Sequence, residues 1–265
     1  MHSIAVRFTI VFALLQISIL GLAHEFWLEP ISFFKKKTCV RFRVGEHFDG
    51  KNWTGDFNKV GMLNLVNFQS QNSVDAQGAL SKPGDSLKIK LPFQGTQALV
   101  YASTNSYIEL DAEKFNAYLQ EDGLAEIAAW RKAHGQDTAK GKEYYQRCAK
   151  LLLQNGKQTT PVNFPTALAL DIVPHTNPYS ISGTTPILFS VYFMQRPLAK
   201  AEIKTWHIHK EQLTTTTIQM TNGTFSLPVS PEGKWMVSLV KMVENRADSR
   251  ADWQSYWGSL VWGYF

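Results

Sequence analysis

Histidine is the residue type in this chain best suited to chemistry, and His24 is its sharpest instance. Residues 1–23 have the features of an export signal, because Arg7 precedes an apolar run and Gly21 and Ala23 fit the small residues before a cleavage site. Cleavage after Ala23 would make His24 the first residue. Its α-amine and imidazole could then chelate one metal ion through two nitrogens, a donor set that favours copper(II) and nickel(II).

A third nitrogen ligand would complete such a site, and His47 is the best candidate. It follows a strongly alternating strand, and Glu25, Glu46 or Asp49 could add an oxygen ligand. The alternative is that His24 is simply the first mature residue and His47 a turn histidine. The sequence leaves both interpretations open.

The segment Trp206-His207-Ile208-His209 is a second candidate. Side chains two positions apart in a strand share a face, so His207 and His209 could bind one metal ion from one side. The alternative is that both are polar residues on a solvated face, with Trp206 and Ile208 pointing inward. Neither histidine spacing matches an established zinc motif.

Other kinds of chemistry have no support in the sequence. It contains no nucleophile elbow, phosphate loop, paired-carboxylate motif or Gly-x-Gly pattern, so no catalytic residue is assigned and enzyme activity is not favoured. The net charge of +5 is dispersed along the chain, and the run Lys35-Lys36-Lys37 is interpreted as a solvated turn. Nucleic acid is therefore not an expected partner.

Alternating hydrophobicity predicts a mainly β protein. In residues 38–44, for example, Val40, Phe42 and Val44 alternate with polar residues or cysteine. The further predicted strands are 60–68, 86–91, 97–104, 168–173, 185–193, 201–209, 215–220, 224–227, 235–243 and 258–264. Short strands separated by turn signals are typical of antiparallel sandwiches.

Residues 111–156 break this pattern and are predicted to be a helical insert. Phe115, Tyr118 and Leu119 have helical spacing, which resumes through Ile127 and Trp130. These residues are expected to form one apolar face that packs on a core. A further helix is predicted over 142–153. The resulting domains are a signal peptide (1–23), an N-terminal β-sandwich (24–110), the helical insert (111–156) and a C-terminal immunoglobulin-like β-sandwich (157–265).

Export also bears on the two cysteines, Cys39 and Cys148. An oxidising compartment permits a disulfide between them. Two buried or half-buried thiols are an equally acceptable arrangement, and the sequence does not decide between these possibilities.

Four ordered blocks carry a family resemblance: AHEFWLEP at 23–30, RVGEHF at 43–48, ELDAEKFNAYL at 109–119 and ADWQSYW at 251–257. They resemble the exported bacterial family of a domain of unknown function formerly labelled NikM-type nickel-uptake protein. The resemblance implies two immunoglobulin-like β-sandwiches around a helical segment, and the old label implies nickel. Family members often carry a histidine near 235–243, where this chain has Lys241, and this difference weakens the inference of a shared metal site.

Three functions from different classes follow. The leading expectation is a periplasmic accessory protein that binds copper or nickel in metal uptake or homeostasis. The second is a metal-free module that presents sandwich loops to an envelope protein partner, and the third is a histidine-brace copper oxygenase. In each case the processed chain is expected in the periplasm, without a membrane span once the signal is removed.

Overall fold

The computed structural model describes residues 25–53, 57–157 and 159–265. The signal segment 1–23, its cleavage site after Ala23 and the candidate ligand His24 lie outside the described residues. Within the described ranges the chain is mainly β with two short α-helices, so the predicted fold class is confirmed. Neither of these described helices is long and apolar enough to cross a membrane.

Strands supply most of the regular structure in these ranges. In chain order they are β1 (Glu25–Pro30), β2 (Lys37–Glu46), β3 (Asp49–Asn52), β4 (Val60–Asn67), β5 (Ser73–Asp75), β6 (Ser86–Lys90), β7 (Gly95–Ser103), β8 (Ser106–Leu110), β9 (Gly141–Asn155), β10 (Leu170–Pro174), β11 (Thr185–Phe193), β12 (Arg196–Pro197), β13 (Ala201–His209), β14 (Gln212–Met220), β15 (Thr224–Val229), β16 (Lys234–Glu244) and β17 (Trp253–Gly263). The helices are α1 (Ala112–Glu121) and α2 (Ala125–Ala133).

The described strands form three sheets, which stack as layers. The central sheet has the order β14-β13-β16-β17-β9-β7-β4-β5, with β8 also paired to β9. We call the sheet of β1, β2, β3 and β6 the N-terminal sheet, and the sheet of β10, β11, β12 and β15 the C-terminal sheet. Each outer sheet packs on its own face of the central sheet, so two β-sandwiches share their middle layer.

Alternation along β9 shows how one strand serves both cores. Ala149, Leu151 and Leu153 contact the core under the N-terminal sheet. Cys148 and Leu152 contact the core under the C-terminal sheet. Because successive side chains point to opposite faces, both faces of β9 are covered, and residues 148–155 are all buried.

The predicted helix over 142–153 is therefore wrong, because this segment lies within β9. A strand that is buried on both faces appears as a continuous apolar run, which periodicity alone does not separate from a buried helix. β9 pairs antiparallel with β7 and parallel with β17, so the β regions before and after residues 111–156 contribute to the same sheet. Helix in 111–156 is confined to α1 and α2.

The two helices cover a part of the central sheet beside the N-terminal sheet. Their apolar residues pack against Met242 of β16 and Trp253 of β17. The buried helix-side residues of this core are Phe115, Tyr118, Leu119 and Leu124. The helical unit and the N-terminal sheet therefore occupy the same layer.

Trp130, predicted to belong to the buried helix face, does not. Its side chain is 39% exposed and stacks on His134, with the ring centroids 3.9 Å apart. Arg131 is buried instead, because its guanidinium donates hydrogen bonds to the carbonyl oxygens of Gln136 (2.6 Å) and Ala139 (2.7 Å). These bonds fix the loop after α2.

The two cysteines are free. Cys39 lies in the N-terminal sheet and is partly buried, whereas Cys148 is buried between the central and C-terminal sheets. They belong to different layers.

One ion pair is buried between the central and C-terminal sheets. Lys150 of β9 pairs with Asp171 of β10, and their side chains are 1% and 0% exposed. The second carboxylate oxygen of Asp171 accepts hydrogen bonds from the backbone N–H (2.6 Å) and the hydroxyl (2.9 Å) of Thr166. These contacts compensate the cost of burying a charge.

Candidate functional site

A cleft of about 1000 Å³ opens where β1, β2, α1, β13 and β14 meet. The antiparallel register of β1 and β2 places Glu25 opposite Gly45. Glu25 is the first described residue, and it lines the cleft together with Glu46 and His47. One end of the N-terminal sheet therefore forms one wall.

A tight turn presents His47 to this cleft. His47 and Phe48 connect β2 to β3, and both have positive φ angles, of 55° and 58°, as in a type I′ hairpin turn. A Cβ atom at Gly45 would collide with the carbonyl oxygen of Asp49 across the hairpin, so this close approach requires glycine. The His47 side chain is exposed.

Phe48 anchors the turn. Its ring is buried and lies edge-on to Trp27 of β1, with the centroids 5.4 Å apart, while the Lys234 ammonium lies 4.4 Å from the centre of the Phe48 ring. Because Phe48 points into the core and His47 points out, the backbone that carries His47 is held in place.

Carboxylates dominate the charge of the cleft. Those that line it are Glu25, Glu46, Glu113, Glu121 and Asp122. The lysines among its lining residues are Lys114 and Lys204. The neutral residues of the lining include Trp206 and the threonines at 215–217. The arrangement attracts cations.

Helix α1 brings two of these carboxylates, Glu113 and Glu121, to the wall. Glu113, Ala117 and Glu121 are four residues apart, so they lie on one face of the helix. The buried residues Phe115, Tyr118 and Leu119 hold the opposite face on the sheet. The sequence predicted this apolar face, but it contains no signal that the polar face borders a cleft.

Asp122 and Lys204 form a partly buried ion pair at the base of the cleft. The Lys204 Nζ lies 2.7 Å from Asp122 Oδ1. Burial raises the pKa of the Asp122 carboxyl, and the ammonium of Lys204 offsets this only in part. For Lys204 burial works against the charged form, but Asp122 and then Glu25 outweigh it and raise the pKa of the lysine.

Glu25 shares this electrostatic environment. Burial raises the pKa of Glu25 to about 7, although its own backbone N–H and Lys204 act in the opposite direction. Near neutral pH this carboxyl can therefore hold or release a proton.

The structure places His207 and His209 away from the cleft. They lie on one face of β13 with their ring centroids 6.2 Å apart, whereas Trp206 and Ile208 contact the core under the N-terminal sheet on the other face. The prediction that the two histidines share a face is consistent with this register.

Both imidazoles have other partners. His207 stacks on Trp235 with the centroids 3.8 Å apart, and its Nε2 lies 3.0 Å from the carbonyl oxygen of Glu232, which it contacts as a donor. The His209 Nε2 lies 3.5 Å from a carboxylate oxygen of Glu232. Burial lowers the pKa of His207, which favours the neutral ring.

No group of three or more histidine, cysteine, aspartate and glutamate side chains within 25–53, 57–157 and 159–265 is arranged to hold a metal ion. Of the candidate ligands, His47 lines the acidic cleft and His207 and His209 pack against Trp235 and Glu232. A metal site in the cleft would thus need donors beyond these ranges, and His24 is the residue that the sequence suggests.

The family model for a domain of unknown function, DUF4198, matches residues 22–242. The chain belongs to the DUF4198 family. The matched range contains His24, the hairpin of His47, both helices and Lys204, so every wall of the cleft belongs to the DUF4198 domain. The family description names no metal, and nickel therefore stays a prediction.

No curated protein sequence matches the DUF4198 chain. Among solved structures, a two-fibronectin type-III domain segment from chicken tenascin is similar over 91% of this chain and 99% of that chain, with 10% identity and a TM-score of 0.23. The sandwich architecture therefore rests on the sheets described above.

Proposed function

We propose that the cleft binds one transition-metal ion, copper(II) or nickel(II), and that the protein serves metal uptake or homeostasis in the periplasm. The observation that carries the proposal is the pairing of Glu25 with Gly45, which brings the start of β1 and the turn of His47 to one cleft. His24 precedes Glu25 in the sequence.

The proposed ligands follow from this juxtaposition. After cleavage at Ala23, the α-amine and imidazole of His24 supply two nitrogens and His47 supplies a third. One carboxylate of the same wall, Glu25 or Glu46, could add an oxygen ligand. Copper(II) and nickel(II) accept such mixed nitrogen and oxygen donors in open geometries.

The surrounding charge supports cation binding. The carboxylates of α1 line the same cleft as the histidine turn, so a cation that enters the cleft meets a negative potential. Net positive charge elsewhere on the chain does not reach into the cleft, because salt screens exposed charges beyond about 10 Å.

The test measures metal affinity on exported, processed protein whose N-terminus has been verified by intact mass. Three variants are compared with it: His47→Ala, an insertion of one alanine before His24, and His207→Ala combined with His209→Ala. The insertion keeps the imidazole and removes the chelating amine. The double variant is the matched control, because it removes two histidines outside the cleft.

We expect the first two variants to weaken copper(II) or nickel(II) binding at least tenfold and the control to bind like the wild type. Equal binding by all variants would place the metal elsewhere. Binding weaker than about micromolar, a free energy of about −8 kcal/mol, would reject a dedicated metal site.

The second candidate function is a metal-free module for an envelope protein partner. Strand β14 favours it, because it is an edge of the central sheet and residues 212–217 are all exposed. Such an edge accepts an added strand from a partner. Cross-linking from position 214 in envelope preparations, with the exposed Lys200 as control position, would detect such a partner.

A further inference from the structure

A basic patch lies at the end of the N-terminal sheet that is farthest from the cleft. Residues 31–36 connect β1 to β2, and β2 then pairs with β6 so that Lys37 lies opposite Lys90 and Cys39 opposite Lys88. The exposed cations brought together are Lys35, Lys36, Lys37, Arg41, Lys88 and Lys90. We call this set, with Ile31 and Phe34, the basic end patch.

Within the described residues, none of these six cations forms an ion pair. Arg43, farther along β2, is paired with Glu29 at 2.7 Å and does not belong to the patch. The six cations exceed the net charge of the whole chain, which is +5, so the rest of the chain is net negative.

Two exposed apolar side chains lie in the loop that carries Lys35 and Lys36. Ile31 is 61% exposed; Phe34 is 41% exposed, and its ring lies edge-on to Tyr179 with the centroids 5.1 Å apart. Between them Phe33 is fully buried, its N–H donates to the carbonyl oxygen of Phe265 (2.9 Å), and its carbonyl oxygen accepts from the N–H of Gln154 (2.8 Å). The backbone of the loop is fixed, so its apolar residues are held at the surface.

We propose that the basic end patch docks the protein on an anionic phospholipid surface. Lysines attract anionic headgroups, and apolar residues at a loop tip enter the boundary between headgroups and acyl chains. An acidic protein would match the charge but would gain little from two separate apolar side chains. The combination therefore favours a lipid surface over an acidic polypeptide.

Docking in this way would fix the orientation of the cleft. Strand β2 runs from Lys37 at the patch to Glu46 at the cleft. Ten residues at about 3.3 Å each span about 30 Å. The cleft would thus lie well above the headgroups and stay open to solvent.

The test is co-sedimentation of the processed full-length chain with vesicles of phosphatidylcholine alone or mixed with phosphatidylglycerol. We expect binding to the mixed vesicles that weakens as salt is added, and none to phosphatidylcholine alone. Lys35→Glu, Lys36→Glu and Lys37→Glu together should reduce partitioning by roughly 100-fold. Lys132→Glu, Lys200→Glu and Lys210→Glu together change the net charge equally at exposed sites outside the patch and should retain binding within a few-fold.

A second variant separates lipid from an acidic macromolecule. Ile31→Ser with Phe34→Ser keeps every cation and should weaken vesicle binding at least tenfold, while leaving any binding to polyglutamate unchanged. Thermal unfolding of each variant shows that it is folded. Equal loss in both charge variants, equal binding to both vesicle types, or unchanged vesicle binding by the serine variant would each overturn the proposal.

Discussion

At the scale of single residues, Glu143 is a buried carboxyl, 2% exposed, whose hydrogen-bond partners are hydroxyl groups. It lies in β9 under α1, where it accepts hydrogen bonds from the Tyr118 hydroxyl at 3.2 Å and from the Ser255 hydroxyl. The indole N–H of Trp257 donates to the same Ser255 oxygen at 3.1 Å. Burial raises the pKa of Glu143 to about 7, although both hydroxyl groups act to lower it.

This environment predicts a pH-dependent stability. The folded-state pKa lies above the ordinary value of 4.5, so the folded protein binds the proton more tightly than the unfolded chain does. The Glu143 contribution is fully present below pH 4.5 and is lost as pH rises through about 7. The predicted loss is about 3 kcal/mol in the free energy of unfolding.

Glu143→Gln should remove that dependence, because an amide keeps an acceptor oxygen and does not ionise. Urea unfolding of both proteins across this pH range measures it. The stability of the variant relative to wild type should increase as pH rises, and taking this difference cancels the titration of Glu25, whose pKa is also raised to about 7. A difference that does not change with pH would contradict the assignment.

The buried pair of Lys150 and Asp171 gives a second residue-scale prediction. Lys150→Met leaves the Asp171 charge buried with Thr166 as its hydrogen-bonding neighbour, and should cost about 3–5 kcal/mol. Adding Asp171→Asn removes the charge and keeps an oxygen to accept from Thr166, so the double variant should recover most of the loss. Urea unfolding of the two single variants and the double variant gives the coupling energy. Additive losses would show that the charges are not coupled.

At the scale of secondary-structure elements, exposure of one face decided what the sequence could predict. β11 and β13 match the predicted 185–193 and 201–209 at both ends, because β11 alternates between buried and more exposed positions and β13 has polar residues along one face. β9 is covered on both sides, so its alternation disappears and a helix was predicted. Alternation between apolar and polar residues reveals a strand only where one of its faces meets solvent.

The candidate site was predictable only in part for a related reason. His47 was identified from its residue type and its place after an alternating strand. β1 was missed, because three consecutive residues, Phe26, Trp27 and Leu28, are buried and leave little alternation to detect. Without β1, the register of Glu25 with Gly45 and the acidic wall of α1 had no basis in the sequence.

The helical unit supplies the prediction at this scale. Trp130 is 39% exposed, whereas Leu119 is fully buried in the core between α1 and the sheet. Trp130→Ala should therefore cost about 1 kcal/mol or less, and Leu119→Ala about 2–5 kcal/mol. Chemical denaturation of the two variants provides the comparison. A larger loss for Trp130→Ala would mean that its contact with Trp253 (ring centroids 5.3 Å apart) dominates the packing.

At the scale of the whole molecule, charge is arranged along the length of β2. The basic end patch surrounds Lys37, and the acidic cleft adjoins Glu46. In sequence these charges are dispersed, and only the pairing of β2 with β6 and the packing of α1 beside the N-terminal sheet gather them at two ends. The separation of basic and acidic charges comes from the tertiary fold, so amino-acid composition does not predict it.

The parallel pairing of β17 with β9 has a consequence for how the chain acquires this structure. β17 lies between β16 and β9 in the interior of the central sheet, yet it is the last of the described strands in chain order. The central sheet of the nascent chain therefore stays in two parts. The strand that joins β16 to β9 is complete only when synthesis passes residue 263. β17 and β9 are about a hundred residues apart in sequence, and their pairing slows formation of the central sheet because the entropy of the intervening chain is lost before the contacts form. Folding of the central sheet is therefore expected to finish late, once β17 has paired with both β16 and β9.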